Sequence, residues 1–319
     1  MTTNLLEAPA HQSPRRVDDS PARARHTLSL AERFARQASR RELRLTGLTM
    51  GAYMLVGAAI ALFLADHGTT YFSTLGGAVT ALGIITGLVA TALMCLMLVL
   101  TARVPVIDRT LGQDRATSLH AKLGRGMVLG LLAHGLFLII GYAISGAINP
   151  ISTFVDLWTS STDFIWACAA FVLFAVVGVS SMVAVRRKYP YETWFAIHLT
   201  TYAAILASLP HQFSMSGLLA PGTFGRSYWT AMWLATACLL LAYRIFLPII
   251  STFTHRLTVS RVEPIGPDAV NIEFTGRRLD ELEARGGHWL NWRFLTADLA
   301  LQPHPFSLSS DPTPTSMRI

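Results

Sequence analysis

Six apolar stretches dominate the sequence, near residues 46–65, 75–101, 123–147, 163–185, 193–210 and 228–250. Each is long enough to cross a hydrocarbon core of about 30 Å. Inside lipid a backbone has to satisfy its own hydrogen bonds, so each stretch is expected to be a helix. The composition agrees, with 52% of residues hydrophobic and 14% charged, against roughly 25% charged in soluble domains. The fold expected for residues 46–250 is therefore an all-α, six-helix transmembrane bundle in a lipid bilayer.

The basic residues orient that bundle. With the N-terminus inside, the external segments are 66–74, 148–162 and 211–227, and of 26 Lys and Arg only Arg226 falls in one of them. Runs such as Arg186-Arg187-Lys188 and Arg103, Arg109, Arg115 fall on the inner side, a positive-inside pattern. This accounts for the net charge of +7 without nucleic acid, which is set aside as a partner. The expected location is the plasma (inner) membrane, multi-pass, with both termini cytoplasmic.

Residues 1–45 are a separate segment. Residues 1–27 are rich in Pro, Ser, Arg and Asp and lack the apolar core of a secretory signal, so they read as a disordered tail. Ser29 and Glu32 have capping-box spacing. Leu30, Phe34 and Leu43 among Arg33, Arg36, Arg40 and Arg41 then suggest a basic helix on the membrane surface, or a solvated one. Cys95, Cys168 and Cys238 all sit in apolar runs without metal or disulfide spacing and read as small core packers.

The ten histidines are distributed unequally. His11, His26, His67 and His255 lie in tails or loops. The third apolar run has His120 at its inner entrance and His134 deeper in, and the fifth has His198 in its first half and His211 at its outer end. A strongly polar side chain in a membrane span needs a partner or a task, and ligating haem iron is such a task for a neutral imidazole. A single such histidine is more often an interhelical hydrogen-bonding residue, whereas two pairs on two parallel spans at near-equal spacing favour two stacked haems. His120 and His134 are 14 residues apart, about 21 Å of helical rise with about 40° of angular mismatch. His198 and His211 are 13 apart, about 140° out of phase on an ideal helix, so Pro210 is expected to distort the helix there and reorient His211. Parallel spans pair His120 with His198 for an inner haem and His134 with His211 for an outer one. Arg125 and Arg109 are candidate partners for inner-haem propionates as well as interfacial anchors. Gln212 and Arg226 are candidates to line an acceptor entrance.

From residue 256 the pattern changes to short alternation. Leu257–Val262, Ala269–Phe274 and Gly286–Phe294 read as strands, followed by His304-Pro305-Phe306-Ser307-Leu308-Ser309-Ser310. Residues 251–319 are expected to open an antiparallel β-barrel.

That last motif resembles the flavin-binding motif of the ferric reductase and NADPH oxidase family. Gly287-His288-Trp289 with Trp292-Arg293-Phe294 is similar to the strand before it in bacterial members. Tyr191-Glu192-Thr193-Trp194 with His198-Leu199-Thr200-Thr201-Tyr202 is similar to the family's fifth helix, and Leu119-His120 with Leu123-Gly124-Arg125 to its third. The resemblance runs over residues 45–319. Phe195 stands where many bacterial relatives have a further histidine, and His288 replaces the more usual glutamine.

The resemblance implies a ferredoxin-reductase-type FAD-binding domain, with His304 near the FAD phosphate or ribityl oxygens. Pro305 lies within the motif, Phe306 packs on the flavin ring and Ser307 approaches the reactive flavin nitrogen. It further implies an electron-transfer oxidoreductase that passes electrons from NAD(P)H through FAD and two b-type haems to an external acceptor, a ferric chelate first and dioxygen second. No glycine-rich turn after a strand is present to cradle a dinucleotide. The nicotinamide domain and the rest of the flavin domain are therefore expected beyond Ile319, or on a separate reductase domain or subunit. The alternatives are a haem-binding membrane subunit fed by quinol or a separate flavoprotein, and a non-redox polytopic transporter.

Overall fold

A computed structural model of the protein describes residues 21–319 apart from 215, 216, 268, 297, 298 and 300–303, with no side chains described for 21–31, 183, 184 and 217. The expected N-terminal tail, including His11, falls mainly on residues outside these. Two compact units are distinguished, residues 1–53 and 54–319.

In the first unit the described residues belong to the start of one long helix, α1 (Pro21–Ala65). It begins eight residues before Ser29, so the Ser29–Glu32 pair does not start it, and it runs through the domain boundary expected at 45. Phe34 and Leu43 are exposed on it, as an interfacial or solvated helix requires.

The second unit contains the rest of α1 and nine further helices among the described residues: α2 (Leu75–Thr101), α3 (Pro105–Leu111), α4 (Gln113–Gly146), α5 (Pro150–Ser160), α6 (Thr162–Ser181), α7 (Val183–Arg186), α8 (Tyr191–Ser214), α9 (Phe224–Leu241) and α10 (Leu247–His255). A π-helical turn, Ala242–Phe246, joins α9 to α10. Capping residues set several starts: Thr74 accepts from the Gly77 N–H, Asn149 from Ser152 and Thr223 from Arg226.

Five stretches are long and apolar enough to cross a membrane: Glu32–Ala65, Leu75–Thr101, Gln113–Gly146, Thr162–Ser180 and Phe224–His255. The protein is multi-pass on these alone. The expected six-helix count is not reached on this criterion, because α8 falls short of it. Its length suffices, since 24 residues rise about 36 Å. His198, Thr200, Thr201, Ser208, His211 and Gln212 are what dilute its apolar character.

The most extensive helix–helix seams are α2 on α4 and α6 on α8. Small residues let the first pair close: a Cβ at Gly76 would meet the Ser145 N at 2.9 Å, and one at Gly141 the Thr80 N at 2.7 Å. One apolar cluster joins Ala59 and Phe63 of α1 to Ala81, Leu88 and Cys95 of α2 and to Trp229 and Met232 of α9. A second joins Ala90, Met94 and Leu98 of α2 to Met127 of α4, to Ala170 and Phe174 of α6, and to Ala204 and Ile205 of α8.

The C-terminal strands are β1 (Thr258–Gly266), β2 (Ala269–Thr275), β3 (Trp289–Trp292), β4 (His304–Ser307) and β5 (Ser316–Arg318). They form an antiparallel sheet β1-β2-β5 and a separate hairpin-like pair β3-β4 around a core of Phe274, Leu279, Trp292, Leu308 and Met317. The expected barrel is not closed among the described residues. The strands number five in two sheets, and hydrogen bonding leaves edges on both.

Candidate functional site

The helix pair α2–α4 carries the first half of the site. The Nδ1 of His120 lies 3.3 Å from the Met97 carbonyl, and that of His134 2.8 Å from the Gly83 carbonyl. Both contacts have the same antiparallel register: 14 residues separate the histidines on α4 and 14 separate their carbonyls on α2. Fourteen residues are two heptads, the spacing at which two supercoiled helices again face each other. The 40° mismatch of an ideal isolated helix is therefore absorbed in the seam. An Nδ1–H donated to a carbonyl leaves Nε2 as the bare, ligating nitrogen.

The second half comes from α8. The ring centre of His198 lies 6.0 Å from that of His120, with the planes 62° apart, and the rings of His211 and His134 are 6.3 Å and 63° apart. All four histidines predicted as ligands are thus brought together, in the pairs expected. Pro210 lies inside α8, which nonetheless continues to Ser214. The helix is not ended there, and His211 meets His134 without a break in the assigned helix.

The separations bear on what each pair can hold. With a metal–imidazole bond of about 2.0–2.1 Å and about 1.1 Å from nitrogen to ring centre, two imidazoles on opposite sides of one metal have centres about 6.3 Å apart. Both pairs fit that requirement. No group of three or more His, Cys, Asp or Glu residues suited to a metal ion occurs among the described residues.

Residues 86–209 match the family described as Ferric reductase like transmembrane component. Among curated proteins, none matches the chain. The ferric reductase-like segment covers three of the four histidines and stops two residues before His211. It is narrower than the resemblance read from the sequence over 45–319.

Beyond the ferric reductase-like segment, Gln212 and Arg226 are half-buried and hydrogen-bonded to their neighbours, and Arg226 also lines an open pocket with Gly222, Thr223, Ser227 and Thr230. The Gln212 carbonyl oxygen accepts from the indole N–H groups of Trp229 (2.9 Å) and Trp233 (3.1 Å), while its amide donates to the Ser208 hydroxyl at 3.0 Å. Arg226 donates to the carbonyls of Phe213 (2.9 Å) and Leu219 (3.0 Å). Together they fasten the end of α8 to α9 just past Pro210. Gln212→Leu strands two indole donors, each costing about 1–3 kcal/mol when unsatisfied. A loss of about 3 kcal/mol is expected, read as a lower thermal unfolding midpoint in detergent, with Gln212→Glu much closer to wild type.

Of the arginines considered for propionates, Arg109 pairs with Glu283 at 3.2 Å, both side chains being exposed, and Arg125 is exposed. His198 has other neighbours that spacing alone did not single out. Its ring stacks on Trp194 at 5.1 Å, and Arg186 lies over Trp194 at 4.6 Å.

The strand motif is placed on β4. Cross-strand partners are Trp292 with His304, Asn291 with Pro305, Leu290 with Phe306 and Trp289 with Ser307. Pro305, which has no N–H to donate, is accommodated in a two-stranded ladder. His304 and Phe306 lie nearly parallel, 9° apart at 6.4 Å, and Phe306 is 44% exposed. His304 Nε2 is buried without a hydrogen-bond partner among the described residues.

Proposed function

We propose that this protein is a transmembrane electron-transfer oxidoreductase that carries two b-type haems, His120 and His198 binding the inner one and His134 and His211 the outer. The observation that carries this reading is the pair of inter-ring distances, 6.0 and 6.3 Å, with three of the four histidines on a ferric reductase-like segment. When bound, the flavin and the two haems would supply the redox chemistry that lets a two-electron hydride donor feed one-electron transfer across the bilayer. The chain's residues hold and orient. The Gly83 and Met97 carbonyls fix two of the imidazoles, and the apolar walls from α2, α4, α6 and α8 exclude water between the two levels. Each iron would be held by two imidazoles, His120 with His198 and His134 with His211, and such bis-histidine ligation would suit electron transfer over ligand binding.

FAD sits against β4 in this reading. The exposed face of Phe306 is a flat apolar wall for the ring, Ser307 is the hydroxyl beside its reactive edge, and the unpartnered His304 Nε2 is a group in need of a polar partner. NAD(P)H is the electron donor in this reading. A ferric chelate is the preferred external acceptor and dioxygen the second. Six spans, α8 included, put both termini in the cytoplasm by the positive-inside rule.

The test is the dithionite-reduced minus oxidised spectrum of the purified chain. A b-type signal amounting to two haems per chain is expected, and a chain purified without haem would overturn the reading.

A further inference from the structure

The stack at the start of α8 has features that helix packing alone does not account for. An indole N–H can only donate, and the Nε1 of Trp194 is buried without an acceptor among the described residues. Buried donors in folded proteins are nearly always paired, so an unpaired one points to a partner from outside the chain. Above the same ring, 4.6 Å from its centre, sits the Arg186 guanidinium, which also approaches Tyr191 at 5.8 Å. One of its donors goes to the Tyr189 carbonyl at 3.2 Å. Among the described residues Arg186 is in none of the ion pairs. A donor without an acceptor and a cation without a carboxylate therefore share one aromatic ring.

That ring is one helical turn from His198 and stacks on it at 5.1 Å with 28° between planes. The turn lies on the side of His198 that leads to Arg186-Arg187-Lys188. A b-type haem is amphipathic, apolar over most of its rim and bearing two carboxylates along one edge. Carboxylates are costly in hydrocarbon, so that edge is driven toward the end of the span where cations and N–H donors are available.

We propose that the Trp194 indole N–H and the Arg186 guanidinium form the carboxylate site for the propionate edge of the haem held by His120 and His198. This rests on the haem reading above. Trp194 is the neutral donor, Arg186 supplies the charge, and the cation–aromatic stack holds both in register with the axial histidine. The role considered for Arg109 and Arg125 passes to these two residues.

The experiment uses the purified full chain with its haems bound and follows haem capture by excess apomyoglobin. Trp194→Phe keeps the aromatic stack and removes only the N–H. It is expected to release one of the two haems about tenfold faster than wild type, the other at an unchanged rate, and Arg186→Gln should follow the same pattern. In a second arm the chain is loaded with haem dimethyl ester, whose propionates carry no charge, and wild type and Trp194→Phe should then release at the same rate. Equal release by wild type and Trp194→Phe in the first arm would overturn the proposal, as would a difference that survives esterification, since that marks a packing role. A wild-type chain that binds no haem overturns the haem reading itself. Haem-loaded wild type with an indifferent Trp194→Phe overturns the propionate site alone.

Discussion

His134→Ala is expected to carry one haem per chain where wild type carries two, and His211→Ala is expected to lose the same one. The argument is the pairing itself. The two ring centres lie 6.3 Å apart, so on the proposed reading both would hold one iron, and removing either would take away one of its two protein ligands. Residues that act as a unit are non-additive. The His134→Ala/His211→Ala double variant should therefore look like either single variant, retaining one haem. His120→Ala combined with His134→Ala strikes both levels and should retain none. Haem per chain from the pyridine haemochrome, together with a redox titration of what remains, reads all four cases. If His134→Ala kept both haems with unchanged potentials, or if the two single variants lost different haems, the ligand pairs would be wrong.

The histidine pairs were legible because their constraints are one-dimensional. Polar residues in apolar runs stand out, and counting spans gives the direction of each helix, so His120 must lie level with His198. The 140° phase difference between His198 and His211 warned of trouble at Pro210, yet α8 runs on as helix to Ser214. What fixes His211 from beyond Pro210 is tertiary and carried no local signal. Gln212 reads as a free polar group beside a ligand, and its two indole partners lie 17 and 21 residues away on another helix. The same polar residues that mark α8 in the sequence remove it from the stretches apolar enough to count as spans. The strands β1 to β3 follow alternation and were readable to within a few residues. Whether they close a barrel depends on strand pairing over long separations, as with β2 and β5, and alternation is silent about that.

The most local test of the outer pair is Gly87, whose nearest neighbours are atoms of the His134 ring. A Cβ built on Gly87 of α2 would lie 2.4 Å from Nδ1 of His134 and 2.8 Å from its Cε1, well inside any contact a real Cβ makes. Gly87→Ala must then displace the imidazole, because helix α2 is pinned against α4 through Gly76 and Gly141, where backbone atoms leave no room. Displacement breaks the 2.8 Å contact from Nδ1 to the Gly83 carbonyl and changes the placement of the His134 ring relative to His211. Overpacking of this kind costs about 1–3 kcal/mol, roughly one to two powers of ten in affinity if it is all drawn from haem binding. The expected result is a folded chain that keeps the inner haem and loses most of the outer one, with an altered spectrum for any that remains. Gly135→Ala is the control, since a Cβ there meets nothing within 4 Å although the residue adjoins His134 in sequence, and it should keep both haems. Should Gly87→Ala bind two haems with wild-type spectra, His134 would be free to move without consequence. The carbonyl that now orients its ring would then be a packing contact and not the support of a ligand.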